Sequence, residues 1–209
     1  MGTRKKALRE MTAKNLGKVL KIFYQQPPTS EKKLGLFKID YYFESLKLAY
    51  EYDGPEHYCE VGHIERDERK NQRCMEDGIT LKRWPYYFQL TRDIAKYYFE
   101  ESFSEDKFLE AISTVYKTTV ETNVLAPGLH KSKNTPANFV HRGLERFYKE
   151  IDSAPTSLKS QVIHSLNLYR TRKGPNLEWL VIPEKNEAFM SFMKFQPEER
   201  YLNHIFSNQ

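Results

Sequence analysis

Two short runs near the front of the chain, residues 38–43 and 48–53, are rich in Tyr, Ile and Phe and read as strands joined by the polar stretch Glu44-Ser45-Leu46-Lys47. With Ser45-Leu46 as the turn, the antiparallel register places Asp40 opposite Glu51 and Lys38 opposite Asp53. Upstream, Leu8, Met11, Leu16, Val19, Leu20 and Phe23 follow helical spacing and predict an amphipathic helix over residues 3–23. Downstream, residues 64–76 read as a helix with Asp67 and Lys70 one turn apart, stopped at Asp77-Gly78. Residues 79–84 read as a third strand that Pro85 ends, and residues 90–99 as a helix capped by Thr91. Tyr86, Tyr87 and Phe88 are expected to pack inside rather than to stack on bases.

The second half is mainly helical in pattern. Ser104-Glu105 opens a helix that runs to about residue 116, and residues 124–135 form a loop around Pro127-Gly128. Asn134-Thr135-Pro136 starts a helix with the apolar stripe Phe139, Leu144, Phe147 and Ile151, while Arg142 and Arg146 share another face. A helix over 157–169 and a strand over 177–182 follow.

Composition narrows the setting. The 209 residues are 39% hydrophobic and 14% aromatic, enough for a substantial core. No apolar stretch is long enough to span a bilayer, and Arg4-Lys5-Lys6 is not followed by a signal-peptide segment. Cys59 and Cys74 are too few for a disulfide scaffold, so a cytoplasmic, reduced setting is expected. The net charge is +5, unevenly spread: residues 1–38 hold ten Lys/Arg against two Asp/Glu. A basic first helix would attract a phosphate backbone.

The hairpin carries the candidate chemistry. In the expected register Asp40, Glu51 and Asp53 crowd one small volume, since opposed side chains have Cβ atoms roughly 5 Å apart and alternate residues on a strand lie about 6.8 Å apart. A hard divalent cation would relieve that crowding. Gly54 follows where the backbone must turn, and His57 lies within reach of the acids. His57, Cys59, His63 and Cys74 also offer zinc-type ligands, but without the paired short spacings of common zinc modules.

Four stretches, taken in order, resemble the successive motifs of PD-(D/E)XK nucleases, in the branch that contains the very-short-patch-repair endonucleases. They are Lys38-Ile39-Asp40-Tyr41-Tyr42-Phe43, Leu48-Ala49-Tyr50-Glu51-Tyr52-Asp53-Gly54-Pro55-Glu56-His57-Tyr58, Arg66-Asp67-Glu68-Arg69-Lys70 and Asp77-Gly78-Ile79-Thr80-Leu81-Lys82-Arg83-Trp84-Pro85. The resemblance covers about residues 5–102. It implies an α/β, restriction-endonuclease-like core, a mixed sheet flanked by helices, over residues 1–102. Residues 103–209 would then be a mainly helical extension for DNA recognition, dimerisation or binding another protein.

The resemblance further implies Asp40, Glu51 and Asp53 as ligands of Mg²⁺ or Mn²⁺, with His57 positioning or activating water and Glu10 completing the site from the first helix. Asp53 stands where the family's name motif has lysine, so the positive charge must come from Lys38, Lys70 or Arg83. The activity implied is that of a metal-dependent DNA endonuclease in restriction, repair, or mobile-element or phage DNA processing. An RNA-directed nuclease and a catalytically inactive nuclease-fold nucleic-acid-binding protein are the alternatives. Lys5, Lys6, Arg83, Lys131, Lys133, Arg170 and Arg172 are the candidate nucleic-acid contacts, no membrane partner is expected, and a homodimer is a further option.

Overall fold

The computed structural model describes residues 11–117, 136–160 and 162. Lys5, Lys6, Glu10, Lys131, Lys133, Arg170, Arg172 and the strand expected at 177–182 lie outside the described residues. The helix expected at 157–169 is described only as far as a helical run over 156–160 and residue 162.

The first helix among the described residues is α1 (Ala13–Tyr24); of the helix expected over 3–23, residues 3–10 lie outside the described residues. Met11 and Thr12 are not helical; Thr12 is extended, and its hydroxyl accepts the Asn15 N–H at 3.2 Å, satisfying a donor that a helix start leaves unpaired. Leu16, Val19, Leu20 and Phe23 form its buried stripe, and Lys14, Lys18 and Lys21 lie off that stripe.

A four-stranded sheet follows in the order β1-β2-β3-β4: β1 (Thr29–Leu34), β2 (Phe37–Phe43), β3 (Leu48–Asp53) and β4 (Thr80–Pro85). The apolar pattern does not announce β1, because its sequence is polar and mostly exposed, as suits an edge strand. Gly35 turns it into β2 with φ +59°, a left-handed value that glycine adopts without a Cβ clash. The β2–β3 register is the expected one, Tyr41 with Tyr50, Tyr42 with Ala49 and Phe43 with Leu48. The connection is longer than a two-residue turn: a 3₁₀ turn over Glu44–Leu46 closes with Lys47 at φ 46°. β4 lies parallel to β3, making the sheet mixed.

The crossover between β3 and β4 holds a short helix, α2 (Glu56–Cys59), and a long one, α3 (Val61–Glu76). Ile64, Asp67, Lys70 and Cys74 are the buried face of α3, so two charged residues occupy the middle of an otherwise apolar stripe. Cys74 packs with Ile39, Tyr42 and Ala49 on that face of the sheet. Leu48 and Tyr50 point to the other face and join a larger cluster with α1, α4 (Arg92–Phe99) and α5 (Glu105–Tyr116). Thr91 and Ser104 cap α4 and α5 as expected, accepting from the N–H groups of Ile94 and Lys107. Tyr86, Tyr87 and Phe88, in the stretch that links β4 to α4 along the chain, are buried.

Among the described residues, the helices beyond residue 102 share this core. Phe108 and Ile112 of α5, with Leu144, Phe147 and Ile151 of α6 (His141–Ser153), belong to the same buried cluster as Tyr50 and Trp84. No helix among the described residues is long and apolar enough to cross a membrane.

Candidate active site

The regular alternation of β2 breaks at Asp40. Ile39 and Tyr42, three positions apart, both join the cluster under α3, and Glu31 of the neighbouring strand has φ +52°. Beyond the Tyr41–Tyr50 pair, side chains carry the link between β2 and β3. The Asp40 N–H donates to Glu51 Oε1 at 3.1 Å, and the Tyr52 N–H donates to Asp40 Oδ2 at 2.9 Å. Two carboxylates therefore meet where the strands part, Glu51 only 3% exposed and Asp40 half-buried. Lys70 reaches down from α3, its Nζ donating to Glu51 Oε2 at 2.6 Å. Burial raises the pKa of Glu51 and the Asp40 charge adds to the rise, while Lys70 works against it.

One alternate position along β3, Asp53 is wholly buried and its two oxygens are taken by arginines. Arg83 of β4 donates to Oδ1 at 2.7 Å, and Arg146 of α6 donates to Oδ2. Asp67 shares both guanidiniums, with Arg146 Nη1 at 2.8 Å and Arg83 Nη1 at 3.3 Å. His57 donates from Nδ1 to Asp67 at 2.6 Å, and the same nitrogen lies 3.5 Å from Asp53. Arg146 is held in turn by Glu150, whose Oε1 accepts from Arg146 Nε at 2.7 Å and whose Oε2 accepts from the hydroxyls of Tyr58 and Tyr87, each at 2.6 Å.

Opposite charges alternate through this second group. Desolvation opposes ionisation of Asp53, but Arg83 and Arg146 outweigh it and lower its pKa. For His57 desolvation favours the neutral ring, and the hydrogen bond to Asp67 together with the Asp53 charge reverses that and raises its pKa. Suitable ligand atoms of Asp53, His57 and Asp67 lie within 4.8 Å of one another, so by residue type the trio could hold a metal ion. Both oxygens of Asp53 already accept from the two guanidiniums, which also reach Asp67, and Arg146 is shared further with Glu150. At Asp40 and Glu51, by contrast, Lys70 offsets only one of two negative charges.

Several expected site residues fall elsewhere. Lys38 pairs with Lys33 on β1, not with Asp53, because the β2–β3 ladder ends before reaching it; its ammonium reaches Glu31 at 3.5 Å. Arg83, expected at a nucleic-acid surface, is half-buried and engaged in ion pairs because β4 sets it beside Glu51 on the face covered by α3. Asp53, expected with Asp40 and Glu51 around one cation, has its two oxygens accepting from Arg83 and Arg146. Cys59 and Cys74 pack against different clusters, so the zinc-type quartet does not assemble. Asp67 is legible as a charged residue on a buried helical stripe. Arg146 and Glu150 carry no such signal, since they come from 93 and 92 residues beyond the partners Asp53 and Tyr58.

No family model and no solved structure matches the chain. Uncharacterized protein 307L of Invertebrate iridescent virus 6 is 34% identical to it over 92 residues, 38% of this chain and 45% of that protein. The chain thus matches less than half the length of this relative, whose name describes no activity.

Proposed function

We propose that this protein is a divalent-metal-dependent DNA endonuclease with a restriction-endonuclease-like fold. The observation that carries the reading is the meeting of Asp40 and Glu51 where β2 and β3 part, with the Lys70 ammonium 2.6 Å from Glu51. The element order supports it too: a helix, three antiparallel strands, a crossover helix and a fourth strand parallel to the third agree with the core that the motif resemblance implies. Lys70 takes the place of the lysine for which this sequence has Asp53.

The donor set fits Mg²⁺ or Mn²⁺, which favour hard carboxylate oxygens completed by water, and Lys70 offsets only one of the two carboxylates here. Asp40 and Glu51 would hold the ion, which supplies polarisation of a phosphate oxygen and a more acidic bound water. Lys70 offsets negative charge that builds on the phosphate during in-line attack. His57, with Nδ1 fixed on Asp67, keeps Nε2 as the ring atom that handles a proton. Lys14, Lys18 and Lys21 lie along α1 away from its buried stripe and suit a phosphate backbone. The start of that helix is tied to the site's strands, with the hydroxyls of Tyr41 and Tyr52 donating to the carbonyls of Ala13 and Met11 at 2.8 and 3.1 Å.

The saturation of Asp53 and Asp67 by arginines favours a second reading, a nuclease fold that binds nucleic acid without cutting it. Supercoiled plasmid incubated with the wild type or Asp40→Asn, in Mg²⁺ or EDTA, separates the two. The endonuclease reading expects Mg²⁺-dependent cleavage by the wild type and a loss of about 100-fold or more in Asp40→Asn, as for removal of a group that stabilises transition-state charge. Equal cleavage by both proteins removes the site assignment, and no cleavage of DNA or RNA by the wild type favours the binding protein.

A further inference from the structure

We infer that Arg146, on a helix outside the β-sheet core, is a positioning residue that fixes His57 through Asp67. The inference rests on the endonuclease reading for its catalytic consequence, but its structural part stands alone. One guanidinium joins three elements: it donates to Asp53 on β3, to Asp67 on α3 at 2.8 Å, and to Glu150 on its own helix at 2.7 Å. Its carbon also lies 4.8 Å from the centre of the Tyr58 ring, so a π face covers the plane that the hydrogen bonds leave open.

Each contact removes a freedom that His57 would otherwise have. Asp67 Oδ2 accepts from both Arg146 and His57, so the guanidinium holds the oxygen on which the imidazole is anchored. Glu150 keeps Arg146 from turning away and is itself held by two tyrosine hydroxyls. Helix α6 is seated against α2, the helix that carries His57: the Val140 N–H donates to the Tyr58 carbonyl at 3.1 Å, and Gly143 lies so close that a Cβ there would come 1.9 Å from the same oxygen. The ring nitrogen bonded to Asp67 sets which nitrogen remains for chemistry. Lysine could supply the charge but not the planar fork that reaches three carboxylates in different directions.

Arg146→Met, Arg146→Lys and Glu150→Gln test this, with folding checked by circular dichroism. The first readout is the His57 Nδ1–H proton resonance, which the bond to Asp67 should protect from exchange in the wild type. It should disappear or broaden in Arg146→Met and in Arg146→Lys, and weaken in Glu150→Gln. The second is plasmid cleavage, where kcat should fall at least tenfold in Arg146→Lys with KM changed less than threefold. A protected resonance unchanged in folded Arg146→Lys overturns the inference. Should Arg146→Met not fold, Arg146→Lys and Glu150→Gln carry the comparison. Loss of the resonance in the variants supports the positioning role even where the wild type cuts nothing, an outcome that would count against the endonuclease reading alone.

Discussion

Burial pushes the pKa of Asp67 up, but its hydrogen bond from His57 and the charges of Arg83 and Arg146 outweigh desolvation and bring it down to about 2. An aspartate in the unfolded chain titrates near 3.9, so ionised Asp67 contributes on the order of 2 kcal/mol of stability. That contribution is present above about pH 4 and fades as pH falls toward 2. His57 behaves oppositely. Its pKa is raised in the fold, so its contribution is complete below about pH 6.5 and is lost as pH rises through the folded value. Urea unfolding of the wild type between about pH 3 and 9 should therefore show stability falling at both ends. Asp67→Asn should lose roughly 3 kcal/mol near neutrality, because two largely enclosed guanidiniums are left with fewer partners, and should flatten both arms. A variant with the wild-type pH profile would show that the ion pairs do not hold in solution.

Helix α6 meets α2 backbone to backbone, and Gly143 makes the approach feasible. A methyl group there would sit 1.9 Å from the Tyr58 carbonyl oxygen, which cannot swing aside as a side chain could. Gly143→Ala should cost about 2–3 kcal/mol by overpacking. A methyl group on Gly62, early in α3, would meet nothing within 4 Å, so Gly62→Ala should be neutral or stabilise by up to about 1 kcal/mol. Melting the two variants side by side checks the contrast; equal effects would show that α6 is not seated against α2. Among the elements, those with strong apolar periodicity or side-chain caps are legible in the sequence, including the β2–β3 register and the starts of α4 and α5. β1 is not, because its Thr-Ser-Glu-Lys-Lys run has no apolar alternation and its hydrogen bonds to β2 define it. The short helix α2 is hidden for a similar reason, having four residues and one fully buried side chain.

Across the fold, the site divides into two electrostatic compartments that the sequence presents as one. Asp40 and Glu51 are legible as neighbours because a hairpin brings together residues close in sequence. Asp53 shares their strand face, yet its environment is set by β4 and by α6, and the approach of α6 depends on packing of Leu144, Phe147 and Ile151 into the common core. Such long-range contacts leave no local periodicity in the chain. The consequence is a division of labour: Asp53, Asp67 and Glu150 are tied to the two arginines around His57, and at Asp40 and Glu51 Lys70 offsets one of the two carboxylates. Crystals equilibrated with Mn²⁺ and measured for anomalous scattering address this division. A peak is expected about 2.1 Å from carboxylate oxygens of both Asp40 and Glu51. A peak among Asp53, His57 and Asp67 instead, or none at saturating Mn²⁺, would overturn the division and the metal site with it.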